Sequence, residues 1–283
     1  MGSYTELAWL LKKYAITVLP AVSSLRALRA FAKSAPGAEP FAGFGDPVLG
    51  GSGAESRSAT LAKLFSRGAV ADVTEVRKMR RLPDTADELR AIAATLKSRS
   101  ESLYLGEAAT ETRLKTLDLA RFRHIAFATH GLMAGDIKGV AEPALVLTPP
   151  EQGTERDDGL VTASEIAQLK LNADWVILSA CNTASSDGTP GAEGLSGLAK
   201  SFFYAGARSM LVSHWAVNSN AAVALTTRMF EESAKGASKA QALQRSMLAL
   251  MERQDKPYFA HPALWAPFIV VGEGNPGWAA AAQ

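Results

Sequence analysis

The sequence predicts an α/β protein: a mostly parallel central sheet with helices on both faces. Two observations carry this. Short apolar runs rich in β-branched residues alternate along the chain with stretches of helical apolar spacing. Two of those runs, His124 to Thr129 and Ala173 to Ser179, are largely apolar over a strand's length and each stops abruptly at a chemically distinctive residue. With 283 residues, 47% of them hydrophobic, the chain can bury the core such a fold needs. Residues 1–283 read as a single domain, with an N-terminal half at 1–118 and a better-patterned half at 119–283.

Tyr14 to Pro20 reads as a strand, because it is β-branched and aliphatic and ends at proline. Ala21 to Lys33 has helical spacing, and Phe41 to Phe44 is a short strand running into Gly45-Asp46-Pro47. The glycine-rich stretch Gly50 to Ser58 reads as a loop. No Gly-Lys-Ser/Thr closes it, so it is not a phosphate loop. Pro83 opens a helix to about Leu96, with Asp87 and Glu88 as acids of its first turn. A strand at Ser102 to Leu105 and a helix at Glu111 to Leu117 follow. The second half gives strands at His124 to Thr129, Pro143 to Thr148, Ala173 to Ser179, Ala207 to Ser213 and Trp265 to Val271. Its helices are expected from Thr162 to Leu169, where Thr162 and Glu165 have capping-box spacing, and at Glu193 to Tyr204, Asn220 to Ala234 and Ser238 to Arg253.

Net charge is +2 and no basic run carries interleaved aromatics, so nucleic acid is not an expected partner. The apolar stretch Leu7 to Leu11 is followed at once by Lys12 and Lys13 and is too short for a membrane span. Cys181 is the single cysteine, which rules out an intrachain disulfide and a cysteine-rich zinc site; neither cofactor nor metal is expected. Cytoplasmic residence follows as the default. Met1-Gly2-Ser3 resembles an added leader, so an upstream domain is expected.

Ligands of an open parallel sheet bind beyond the carboxyl ends of its strands. One strand here stops at Thr129-His130-Gly131 and another at Ser179-Ala180-Cys181. If these strands are neighbours, His130 and Cys181 face one crevice. A thiol of pKa about 8.5 needs a base to become nucleophilic at neutral pH, and an imidazole supplies one. The thiolate would attack a carbonyl carbon, with backbone N–H groups of Gly131 and Cys181 as oxyanion donors and His130 protonating the leaving amine. A lone strand-end cysteine is more simply a core thiol. What favours chemistry is the pairing: the histidine precedes the cysteine by about fifty residues, as in caspases. The local caspase signature is absent, since the chain reads Ser-Ala-Cys-Asn-Thr there.

The phrases FATHG (127–131), DGLVTASEIAQLKL (158–171), VILSACNTA (176–184), AEGLSGLAKSFFYAGARSMLVSHWAV (192–217) and HPALWAPFIVVG (261–272) resemble the CHAT family, relatives of caspases, separase and gingipains. YAITVLPAVSSLRALR (14–29), FGDPVLGG (44–51) and GEAATETRLK (106–115) do so as well, and the likeness covers nearly the whole chain. The resemblance implies a caspase-like α/β/α sandwich and a cysteine endopeptidase with His130 and Cys181 as its catalytic pair, which makes 119–283 the catalytic half. It implies a protein or peptide substrate, upstream TPR repeats or another activating domain or partner, and in some relatives bacterial defence with gasdermin-like partners. Family members often carry acid after the strand ending SMLVS, where it would hold a basic P1 side chain. Here Asn218-Ser219-Asn220 has none, which weakens that preference unless Asp136, Asp157, Asp158 or Asp187 substitutes.

Ser213, His214 and Trp215 are candidates for pairing with an extended substrate, with Trp215 walling a pocket or simply packing. Asn218, Asn220 and Asp158 complete the substrate-binding candidates, although Asp158 before Gly159 is most simply a turn residue. His214 reads as a bystander, His124 and His261 as structural, and Glu193 as a helix-terminus acid. The loops Leu132 to Asp158 and Ser185 to Gly191 are expected to gate the crevice. The competing function is a catalytically silent interaction module on the same fold. A serine hydrolase is excluded by the missing Gly-x-Ser-x-Gly elbow.

Overall fold

Strand pairing in the computed structural model, which describes residues 4–19, 37–51, 71–132, 142–179, 197–215 and 218–274, confirms the parallel sheet. Among these residues, six strands form it: β1 (Glu39–Pro47), β2 (Leu103–Gly106), β3 (Phe122–Ala128), β7 (Trp175–Leu178), β8 (Ser209–Ser213) and β9 (Phe268–Gly272). Their order is β2-β1-β3-β7-β8-β9, parallel throughout except that β9 runs against β8. The chain goes outward from β1 to β2 and then back to β3 on the other side. The resulting switch point lies between β1 and β3, where such sheets open a crevice.

Alternation along the strands builds two cores. Ile125 and Phe127 of β3, Val176 and Leu178 of β7, and Met210 and Val212 of β8 join one apolar cluster. It is covered by α3 (Glu111–Thr116), α4 (Ala163–Gln168) and α5 (Gly197–Ala205). Ala126, Ala128, Trp175, Ile177 and Leu211 face the other way, onto α2 (Asp84–Thr95), α6 (Ser219–Ala234) and α7 (Lys239–Met251). Each large apolar side chain so buried contributes about 1.5–3 kcal/mol, which favours the two-faced sheet over any register that would expose one row.

Several elements depart from the sequence reading. The expected strand at 143–148 is only Ala144–Val146 (β5). It lies in a separate antiparallel sheet between β4 (Gly131–Leu132) and β6 (Leu160–Thr162). Beyond it Leu147 and Thr148 turn their amides to the carbonyls of Gly159 and Ala109. A short helix α1 (Val73–Arg77), capped by Asp72, packs Val76 into that sheet's own cluster. Trp265 closes a helical turn, α8 (Pro262–Trp265), and does not begin the last strand. The His261 ring accepts from the Ala263 amide, and Pro262 sets the first turn. Within the described part of the strand expected at 14–20, residues 14–19, Val18 makes an isolated bridge to Val271, and the Thr17 hydroxyl bonds the Val270 and Gly272 carbonyls. Trp9 stacks edge-on to Trp265 and Gln244 holds the Leu11 carbonyl, so the chain reaches the β9 edge only at its far end. The expected helix at 21–33 and the loop at 52–58 lie outside the described residues, as does the start of the helix expected from Glu193.

At the amino ends of β7 and β8 sits a buried ion pair. Lys239 is 2% exposed, its Nζ lying 2.7 Å from Asp174 Oδ1 and 3.0 Å from Ser209 Oγ. Burial alone pulls the ammonium down, and Asp174 opposes this. The pair ties α7 to two central strands. Truncating one member strands the other without water. Lys239→Ala is therefore expected to cost about 3–5 kcal/mol, read as a lower urea midpoint with unchanged slope.

Candidate active site

β3 ends at Ala128, and the chain passes through Thr129 to His130 before entering β4. Thr129 Oγ1 donates to the Val146 carbonyl at 2.5 Å, and the Val146 amide donates to the His130 carbonyl at 3.0 Å. These bonds seat His130 on the small sheet, leaving it 8% exposed. Its Nε2 lies 2.6 Å from the Arg80 carbonyl oxygen. A carbonyl only accepts, so Nε2 carries the proton. The neutral ring then has Nδ1 as its acceptor, the nitrogen a general base requires.

Arg80 is itself held. It pairs with Gly51 in an isolated bridge, and the Arg81 guanidinium grips both oxygens of Asp46, each at 2.8 Å. Asp46 sits near the end of β1 with φ of +47°, and its amide donates to Thr85 Oγ1 at 2.9 Å. Gly45 beside it must be glycine: a Cβ there would come within 2.6 Å of Leu89 Cδ1 and 2.9 Å of the Ala128 carbonyl. The ends of β1, β3 and α2 therefore converge at the switch point.

Gly131 faces Leu145 as a non-hydrogen-bonded pair, because the flanking bond runs from the Val146 amide to the His130 carbonyl. Its own N–H is thus directed away from β5, as an oxyanion donor would need. On the other side, β7 lies parallel to β3, and the Ser179 amide donates to the Phe127 carbonyl at 2.9 Å. The two strands read as carrying the reactive pair are neighbours. Cys181, with Asp136, Asp187, Glu193 and the loop at 185–191, lies outside the described residues.

The remaining candidates divide. Ser213 is buried at the end of β8, and the His214 amide is spent on the Pro267 carbonyl. Partial burial lowers the His214 imidazole. Trp215 is 41% exposed, and its indole N–H donates to the Ala263 carbonyl. Asn218 caps α6, its Oδ1 accepting from the Ala221 amide, and Asn220 is exposed in the first turn. Asp158 is an anchor: its carboxylate accepts the amides of Ala71 and Leu160, while Glu111 accepts those of Asp158 and Gly159. Burial raises both carboxyls above the ordinary range. Asp157 holds the Thr112 amide and hydroxyl. His124 and His261 are structural, as expected. The His124 Nδ1–H donates to the Pro40 carbonyl, and burial drives its pKa down to about 4.

The sequence reading missed four residues. Arg80 acts through its backbone, which no side-chain pattern can announce. The Asp46–Arg81 pair spans the segment from β1 to α2. Glu88, read as a first-turn acid, points inward. It is 3% exposed, accepts from Ser179 Oγ at 3.0 Å, and leaves Oε1 with no hydrogen-bond partner among the described residues. Burial raises its pKa from 4.5 to about 7. Among the described residues, no group of three or more His, Cys, Asp or Glu is arranged to hold a metal, and no helix is long and apolar enough to cross a membrane.

A family model described as CHAT domain matches residues 2–273. Tetratricopeptide repeat protein 28 of Mus musculus and that of Homo sapiens are each 30% identical over 113 residues. That stretch is 40% of this chain and only 4% of those relatives' length. Among solved structures, the Arg-specific cysteine proteinase gingipain R (RGPB) aligns with a TM-score of 0.47 and 12% identity, covering 87% of this chain and 49% of that one. A complex of the pro- and mature domains of RgpB from Porphyromonas gingivalis gives 0.47 and 11%, covering 87% and 50%.

Two outcomes are expected from these carboxyls. Glu88 ionises at 4.5 when unfolded and near 7 when folded, so stability falls as pH rises between those values and is level above them. Glu88→Gln should flatten that slope, worth roughly 3 kcal/mol, in urea titrations run at stepped pH. Asp158→Ala should cost about 2–4 kcal/mol by orphaning two buried amides.

Proposed function

The chain belongs to the CHAT-domain family, and we propose that it is a cysteine endopeptidase in which His130 activates Cys181. One observation carries the reading: His130 stands at the end of β3 with its Nε2–H fixed on the Arg80 carbonyl, beside the strand that leads on to Cys181. The fixed tautomer leaves Nδ1 as the acceptor on the ring at the end of β3.

In this mechanism Nδ1 takes the Cys181 proton as the sulfur adds to the scissile carbonyl carbon. The imidazolium that forms still donates from Nε2 to Arg80, so the carbonyl dipole stabilises the new positive charge. The tetrahedral oxyanion is met by the Gly131 N–H, together with that of Cys181. The carbon–nitrogen bond then breaks, His130 protonates the departing amine, and a thioester remains. Water, deprotonated by the same nitrogen, hydrolyses the thioester and restores the thiol.

The substrate is a protein segment entering past Trp215. The P1 pocket is neutral where Asn218 and Asn220 stand, with the Asn218 oxygen committed to the helix cap. A partner or an additional domain is expected to switch the site on.

A peptide acyloxymethyl ketone should alkylate Cys181, identified by mass spectrometry. Labelling should fall at least about a hundredfold in His130→Ala and vanish in Cys181→Ser. Equal labelling of wild type and His130→Ala would overturn the dyad. Probes with neutral P1 residues should match or exceed those with Arg or Lys.

A further inference from the structure

We propose that Glu88 is a positioning residue for the nucleophile: its buried carboxyl holds the Ser179 hydroxyl and so fixes the end of β7 from which the chain runs on to Cys181. The inference rests on the peptidase reading and adds a part to it.

The placement is specific. α2 is a twelve-residue helix whose Leu89 and Ile92 are fully buried against the sheet, so it is a rigid support. Glu88 is buried on this helix, whose Leu89 and Ile92 join an apolar cluster with Ala126, Ala128 and Ile177 of the sheet. The polar group it meets there is Ser179 Oγ, at 3.0 Å. Ser179 lies one residue past the last residue of β7. Its amide is already bound to the Phe127 carbonyl of β3. The strand end is thus held twice, in the plane of the sheet by β3 and across its face by α2.

The arrangement is costly. Glu88 Oε1 is buried with no hydrogen-bond partner, and Glu88 forms no ion pair among the described residues. Burial keeps the group largely protonated up to about pH 7, which avoids a buried charge but not the unsatisfied oxygen. Methionine or leucine would fill the same volume at lower cost. What an apolar side chain cannot do is accept the Ser179 proton. A hydrogen bond confined to this strand end controls where the backbone goes next, and a nucleophile misplaced by about 1 Å loses its base.

The chain's single cysteine makes the test clean, because every alkylated thiol is Cys181. The apparent thiol pKa is read from the pH dependence of iodoacetamide alkylation of the full chain, with circular dichroism to verify folding. The wild-type value should lie below the free-thiol value of about 8.5 and rise in His130→Ala. Glu88→Met, which keeps the packing but cannot accept, should raise the apparent pKa toward 8.5, slowing alkylation at pH 7 about tenfold. Ser179→Ala should do the same, and Glu88→Gln, which still accepts, should restore most of the lost rate.

A folded Glu88→Met protein with the wild-type profile overturns the proposal. If Glu88→Met does not fold, Ser179→Ala decides by the same criterion. An unshifted His130→Ala profile sinks the peptidase reading instead, so the two failures are told apart by which variant is silent.

Discussion

The hydrogen bond from the Ser179 amide to the Phe127 carbonyl continues the ladder of β3 and β7 one step beyond the last paired residues. It is a small interaction with long reach. Parallel pairing of these strands brings together two segments that are far apart in sequence, and it does so at their carboxyl ends, where the side chains no longer have a sheet to cover. The apolar residues behind it, Phe127 and Leu178 on one face and Ala126 and Ile177 on the other, leave the two strands one register that buries both rows. A shift by one residue would turn all of these side chains over.

Buried polar groups are held at both ends of the sheet. At the amino ends, Lys239 and Asp174 are paired, hydrogen-bonded and enclosed. At the carboxyl ends the buried groups meet dipoles: His130 meets a carbonyl and Glu88 a hydroxyl. The small sheet adds stiffness above His130, since Glu111 and Asp158 pin the 157–159 turn through four backbone amides.

Much of this was legible in the sequence, for a physical reason. Strands covered on both faces need continuous apolar runs, so β3, β7 and β8 announced themselves, and His130 was visible because it interrupts such a run. The Thr162 capping box was also readable, its two partners lying three residues apart. Interactions that join distant segments were hidden. Nothing near Glu88 marks it as buried, because the acids of a helix's first turn ordinarily face water. The direction of its side chain depends on how α2 lies against β1. Arg80 contributes a carbonyl, which every residue has. The strand expected at 265–271 failed by three residues because a histidine cap and a proline outweighed a β-favouring composition.

The anchor beneath His130 differs from the bond it supports. Arg81 has half its side chain in solvent, 51% exposed, whereas the imidazole is largely buried and its bond to the Arg80 carbonyl is part-buried. Mobile ions weaken exposed pairs and barely reach enclosed ones. Ionic strength therefore acts on the imidazole at one remove, by loosening the Asp46 clasp that presents the Arg80 backbone. A halophilic or a dilute medium would reach this imidazole through its footing more than through the ring itself.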